Sequence, residues 1–276
     1  MRTKKKITAA VKWLFLTALV LVELIPILQV YLNSFRTNAD VKGRPFGLPA
    51  EWVFANWPKT WRLGGYTRAF FNSIVIAAVV IVVTLCLISL CAYALSKMEF
   101  KGKGLVTGYF FVAISLPGFL YIVPDYFMFN KIGLVNNPVG LILLYIAMQI
   151  PFNMLLLRTF LTDIPRELEE AGKVDGCGDF DVFFRIIMPI AKPMVFTIVI
   201  LIFVNVWNEF LWANTFIADE NMKTLATRFV KFVGEHASDM ASIYTASAIT
   251  ITPIIVIYLL FSRRFIEGMT SGSVKG

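Results

Sequence analysis

Histidine is nearly absent from this chain: there is one in 276 residues, His236. That excludes the H-E-x-x-H pairing of zinc peptidases, and no other grouping of ligand-type residues takes its place, so no metal site is expected. His236 itself reads as a solvated loop side chain. Cysteine is scarce too, with Cys86 and Cys91 inside one apolar run and Cys177 in a polar stretch. No disulfide framework follows from that spacing. There is no G-x-S-x-G, and no phosphate-binding G-x-x-x-x-G-K-[ST]. Around Gly102 and Lys103, Lys97 stands where the first glycine is required and Gly104 where Ser or Thr is; Gly172 and Lys173 fail in the same way. The chain is therefore expected to bind no nucleotide and to catalyse no covalent chemistry. Charge is also thin, at 16% of residues against about 25% in soluble domains.

What fills the space is apolar. Hydrophobic residues make up 58% of the chain against roughly 45–50% in soluble domains, and the mean hydropathy is +0.72, which places it in a bilayer. A spanning helix needs about 20 largely apolar residues. Six runs meet that length: Trp13–Leu32, Ser73–Leu95, Leu105–Phe129, Val139–Leu157, Met194–Ile217 and Ile243–Phe261. The fold expected is an all-α integral membrane protein with six transmembrane helices. Arg2, Lys4, Lys5 and Lys6 precede the first run, which is long for a signal-peptide core and lacks a small-x-small cleavage site; an uncleaved first span is expected.

The net charge of +8 is no nucleic-acid footprint, because no basic face interleaves with aromatics. With the N-terminus inside, 16 of the 26 Lys and Arg fall on the inner side, as the positive-inside rule asks. Both termini are then cytoplasmic, and so is the loop between spans four and five.

That loop, residues 158–192, carries seven of the 18 acidic residues. Asp163 suits a helix cap, Pro165 a first helical position, and Glu167, Glu169 and Glu170 the positive end of the helix dipole. Gly176 is placed to stop that helix. Asp179 then suits the cap of a second short helix. Phe180, Phe183, Phe184 and Ile187 are spaced on one face of it, and Pro189 stands where it should close.

The same residues carry a resemblance. Glu170, Ala171, Gly172, Gly176, Ile186, Met188 and Pro189 fit the pattern E-A-A-x3-G-x9-I-x-L-P, with Gly172 for the second Ala and Met188 for Leu. The pattern marks permease subunits of bacterial ABC importers. The strings EEAGKVDG and FFRIIMPIAKP, WNEFLWANTFI at 207–217 and the tail GMTSGSVKG resemble the carbohydrate branch, in particular the smaller permease subunit of maltose-type importers. The resemblance implies a type I ABC importer permease fold in a bacterial inner membrane. It implies a homologous permease subunit, two ATPase subunits or domains, and an extracytoplasmic sugar-binding protein as partners. ATP and Mg would be used by the partner ATPase, with no cofactor on this chain. Glu170, Ala171, Gly172, Asp175, Gly176, Ile186 and Pro189 would couple to that ATPase, with Ala171 and Gly172 exposed for entry into a groove. The boundaries that follow are 1–69 for the N-terminal segment, first span and outer loop, 70–262 for the transport core, and 263–276 for the tail.

Two other readings compete. Gly176-Cys177-Gly178-Asp179 matches the G-x-G-D of intramembrane aspartyl proteases, but that chemistry needs two carboxylates together at membrane depth. Asp179 lies instead among Asp175, Asp181 and Arg185 in a polar loop. A secondary transporter should show internal repeats and several midplane ionisable groups; no repeat is visible and only Glu209 is deeply placed.

Within the spans, Pro117, Pro124 and Pro151 are expected to kink their helices. WVFANWPKTW at 52–61 alternates aromatics in a manner suited to the membrane interface. Asn205, Asn208 and Glu209 fall at i, i+3 and i+4, so on an uninterrupted helix they share a face. That face reads either as a helix–helix hydrogen-bond cluster or as the lining of a substrate path. Thr245, Ser247, Thr250 and Thr252 precede Pro253 and are expected to bond back to their own helix.

Overall fold

A computed structural model describes residues 2–234 and 238–271, with side chains across 11–234 and 238–261. His236 and the last five residues of the tail motif lie outside the described residues. Every regular element among the described residues is helical. The α-helices in order are α1 (Arg2–Ser34), α2 (Asn38–Gly43), α3 (Asn56–Gly64), α4 (Tyr66–Lys97), α5 (Lys103–Ser115), α6 (Ile122–Lys131), α7 (Pro138–Asp163), α8 (Glu167–Val174), α9 (Asp179–Asp181), α10 (Met188–Asn208), α11 (Leu211–Phe216), α12 (Leu225–Gly234) and α13 (Met240–Ser271).

Five stretches are long and apolar enough to cross a membrane: Val11–Ser34, Tyr66–Lys97, Pro138–Asp163, Asp179–Asn208 and Met240–Phe261. The sixth expected span is not one helix. The run over Leu105–Phe129 breaks after Ser115, and Lys103–Ser115 and Gly118–Lys131 meet at 90°. Pro117 causes the break, because its ring pushes the preceding residue out of the helical region; Leu116 is extended at φ −91°, ψ 125°. Asp125 then falls in the first turn of the new helix, where the dipole favours a carboxylate.

The chain forms two compact units. One comprises residues up to Thr67 together with Arg228–Pro253. At its centre Arg36 is fully buried, donating to Asp40 Oδ2 at 2.7 Å and Asn33 Oδ1 at 2.8 Å. Asp40 also accepts from exposed Arg44 at 2.7 Å. The hydrogen bonds from Arg36 and then Arg44 hold the Asp40 carboxyl well below the usual carboxylate range. Phe35 packs against Trp52, Phe54 and Trp57 at centroid distances of 5.3–5.9 Å, which gathers the alternating aromatics onto one ring. Thr245, Ser247, Thr250 and Thr252 each donate to the carbonyl four residues earlier, as their place before Pro253 suggested.

The other unit comprises Arg68–Thr227 and the chain from Ile254 onward. Within it α7 is central and packs against α5, α10 and α11. Leu141, Leu144, Met154 and Leu157 of α7 meet Ile198 and Ile202 of α10 in the buried core. Asn137 starts α7 by accepting from Val139 N at 2.9 Å, with Pro138 in the first turn, the cap and proline pairing that pre-sets a helix start.

Candidate functional site

The loop between α7 and α10 is built from α8 outward. Asp163 is no cap: it is the last residue of α7, and Pro165 sits before α8, whose N-cap position is Arg166. The reason is that α7 runs on past the apolar span until Pro165 forces Ile164 into an extended conformation. Glu167, Glu169 and Glu170 occupy the first turn of α8. At its far end Gly176 adopts φ +87°. Its N–H bonds to Lys173 O at 3.1 Å and that of Cys177 to Gly172 O at 2.9 Å, the paired closure of a Schellman motif.

Gly172 is buried rather than exposed. A Cβ there would lie 2.4 Å from Ile186 Cδ1, so the glycine makes room for that side chain. Ile186 is half-buried against it, and these two motif positions are complementary halves of one contact. Pro189 does not close a helix. It lies in the first turn of α10, exposed, and the chain runs through it from α9.

Between α9 and α10, Val182–Ile187 forms a π-helix. Proline 189 cannot donate to the carbonyl of residue 185, and a widened turn relieves the crowding its ring causes. The wider turn shifts the register. Phe183 is 3% exposed and Val182 and Ile187 are buried, whereas Phe180 and Phe184 are 75% and 62% exposed. The expected four-residue apolar face therefore splits. Val174 joins the exposed set at 87%. Sequence reading missed Phe184 as surface because it assumed 3.6 residues per turn throughout, and it gave Val174 and Phe180 no role as an exposed pair at the two ends of the elbow. Asp179 follows the N-cap Gly178 instead of capping, and pairs with Lys173 at 2.9 Å. This exposed pairing raises the Lys173 pKa and holds Asp179 as the partner of a cation on the loop surface.

Glu170, Ala171, Asp175 and Gly176 all lie on the open surface of this loop. Beneath it Lys97, the last residue of α4, reaches Glu169 Oε1 at 2.8 Å and Ile164 O at 2.6 Å. Nearby Arg158 donates to Leu95 O at 3.3 Å. The loop is thus fastened to α4 by cations that satisfy helix-terminal carbonyls.

The expected polar face of span five is interrupted. α10 ends at Asn208, and Glu209 is extended at φ −67°, ψ 120°. Its Oε1 accepts from Trp212 N, and its Oε2 accepts from Ala213 N, each at 2.9 Å. Oε2 also accepts from Tyr145 Oη of α7 at 2.5 Å. Glu209 thus starts α11 and does not share a helical face with Asn205 and Asn208. Those two are exposed, and Asn205 Nδ2 lies 3.3 Å from Gln149 Oε1. Buried Asn153 donates its Nδ2 to the backbone carbonyl of Gln149 at 2.7 Å and to Gln149 Oε1 at 3.3 Å. Gln149 and Asn153, four apart on α7, are polar partners that sequence spacing within span four could have shown. Among the described residues no three His, Cys, Asp or Glu side chains gather as metal ligands.

The chain is thus built from five long apolar helices, one bent helix pair and a loop fastened to α4. Residues 90–271 match the family described as binding-protein-dependent transport system inner membrane components, and the chain belongs to that family. It is 36% identical over 96% of its length, and 88% of the relative's, to the probable ABC transporter permease protein YurM of Bacillus subtilis. It is 33% identical to the trehalose transport system permease protein SugB of Mycobacterium tuberculosis, covering 97% of this chain and 98% of that one. Its fold matches the crystal structure of a bacterial ABC transporter involved in the import of the acidic polysaccharide alginate, with a TM-score of 0.81 over 94% of this chain and 97% of that chain at 24% identity.

Proposed function

We propose that this permease imports a sugar or oligosaccharide, forming half of the pore with a homologous permease subunit. Two ATPase subunits, using ATP and Mg, dock on the loop between α7 and α10, and an extracytoplasmic sugar-binding protein delivers substrate on the other side. The transport core is assigned to 70–262, with 1–69 and 263–276 flanking it and both termini cytoplasmic. The carbohydrate assignment is supported by the carbohydrate-branch motifs and by similarity over nearly the whole chain to a trehalose permease.

The observation that carries the docking assignment is the surface of α8 and the turns after it. Glu170, Ala171, Val174, Asp175 and Gly176 stand out beside Phe180 and Phe184. Small, acidic and apolar groups together suit an intermittent protein contact: the small residues allow close approach, and the aromatic rings supply area. Gly172, Ile186 and Pro189 act from behind by fixing α8 on the start of α10. ATP-driven closure of the ATPases then moves this loop, and the helices attached to it change the side on which the pore opens. Asn205 and Asn208, with Gln149, offer amide donors and acceptors to sugar hydroxyls. Glu209 supports that path by holding α11 in place.

The test is uptake by the assembled complex in proteoliposomes, with a panel of radiolabelled trehalose, maltose, raffinose and an alginate oligosaccharide. Uptake of at least one sugar that requires internal ATP and survives collapse of ion gradients is expected. ATP-independent, gradient-driven uptake, or transport of a non-sugar solute with no sugar carried, contradicts the proposal.

A further inference from the structure

Most of α8 touches solvent, so few contacts can pass its movement to the membrane helices. Two are visible. Gly172 packs on Ile186, which joins α8 to the turn before α10. Glu169 pairs with Lys97, which joins α8 to α4. The two links differ in kind. An apolar contact allows sliding, whereas an ion pair shielded from water resists separation. Here both side chains are withdrawn from water, Lys97 at 3% and Glu169 at 12% exposure, so salt and solvent screen the pair little.

The Lys97 ammonium also donates to Ile164 O at 2.6 Å. One hydrogen bond and one ion pair on the same compact head thus bring α4, the end of α7 and α8 to one point. The helix on the other side of this knot is distinctive. α1, α7, α10 and α13 each contain an internal proline, and the α5–α6 span is broken at 90°. α4 runs for 32 residues with neither, about 48 Å at the usual rise. A helix without a hinge carries a push at its end along its length.

We propose that Lys97 and Glu169 are a transmission pair: positioning residues that convert displacement of α8 into movement of α4, and so set how much transport each hydrolysed ATP yields. The inference rests on the docking assignment above. It differs from it in that neither residue belongs to the exposed contact surface.

The experiment reconstitutes complexes carrying Lys97→Met, Glu169→Gln, the double variant, Lys97→Arg and, separately, Ala171→Asp. The panel sugar that the wild type carries fastest is the uptake probe. Three quantities are read: ATPase retained on the permease, ATP hydrolysed, and sugar taken up per ATP. For Lys97→Met and Glu169→Gln, retention and hydrolysis should persist while sugar per ATP falls about tenfold. The double variant should fall no further than the worse single, because two residues acting as one unit are not additive. Lys97→Arg, which keeps the charge, should stay near wild type. Unchanged sugar per ATP in the singles, or a double variant falling by the product of the two single effects, overturns the proposal. Should Lys97→Met fail to assemble, the near-isosteric Glu169→Gln and Lys97→Arg decide it: loss in the former with retention in the latter supports it, and any other pairing overturns it. Ala171→Asp separates the two readings. Normal ATPase retention there defeats the docking assignment; lost retention there with normal Lys97 and Glu169 variants defeats the transmission pair alone.

Discussion

A carboxylate in a membrane span is costly, and the surrounding groups decide what it is for. At Glu209 they are two backbone N–H groups and a tyrosine hydroxyl, all aimed at its two oxygens. Tyr145→Phe removes one donor and should cost about 1 kcal/mol. Glu209→Gln replaces one accepting oxygen with a donor facing donors and should cost more, about 1–3 kcal/mol. The melting temperature in detergent should therefore fall in the order wild type, Tyr145→Phe, Glu209→Gln. Asn205→Ala or Asn208→Ala should leave it unchanged while lowering uptake or altering sugar preference. The reverse pattern would return Glu209 to the pore and the asparagines to packing. Asp40 is the opposite case, a carboxylate in the first turn of the short helix α2 held ionised by Arg36 and Arg44. Its folded pKa is depressed, so its stabilisation is present above the ordinary value of about 3.9 and is lost as pH falls towards the folded value. The stability gap between wild type and Asp40→Asn, measured by thermal unfolding, should narrow as pH is lowered from about 6 to about 3. A gap independent of pH would contradict this.

At the scale of elements, α8 shows a glycine and an isoleucine fitted to each other. Gly172→Ala gains up to about 1 kcal/mol of helix propensity but drives a methyl group into Ile186 Cδ1, which must swing aside. Ile186→Val alone should lose about 0.5–1.5 kcal/mol. The double variant should be more stable than the sum of the singles predicts, because each change relieves the other; strict additivity in melting measurements would contradict the fit. The residues of this contact were legible in sequence through motif spacing, and so were five of the spans, because long apolar runs have few alternatives. The breaks were less legible. Pro117 signalled a kink but not a 90° turn, and nothing in the Asn205–Glu209 spacing separates a helical face from a helix end followed by a carboxylate cap. The split of Phe180 and Phe184 from Phe183 follows from the π-turn, a departure from the 3.6-residue period on which such reading depends.

At the scale of the whole molecule, the account requires that the loop between α7 and α10 face the cytoplasm. In a background lacking Cys86, Cys91 and Cys177, single cysteines at Lys101 and Asp175 should be shielded from an impermeant thiol reagent applied outside. A cysteine at Asn221 should react. Labelling of Asp175→Cys from outside would contradict the topology and the docking assignment together. The most direct measurement of the central claim uses the same background with Val174→Cys or Phe180→Cys and a short thiol-to-amine cross-linker on assembled complexes. The account predicts a covalent adduct between this chain and the ATPase subunit at both positions, with none from Asn221→Cys. Assembled, transport-active complexes that give no adduct from either position would contradict it.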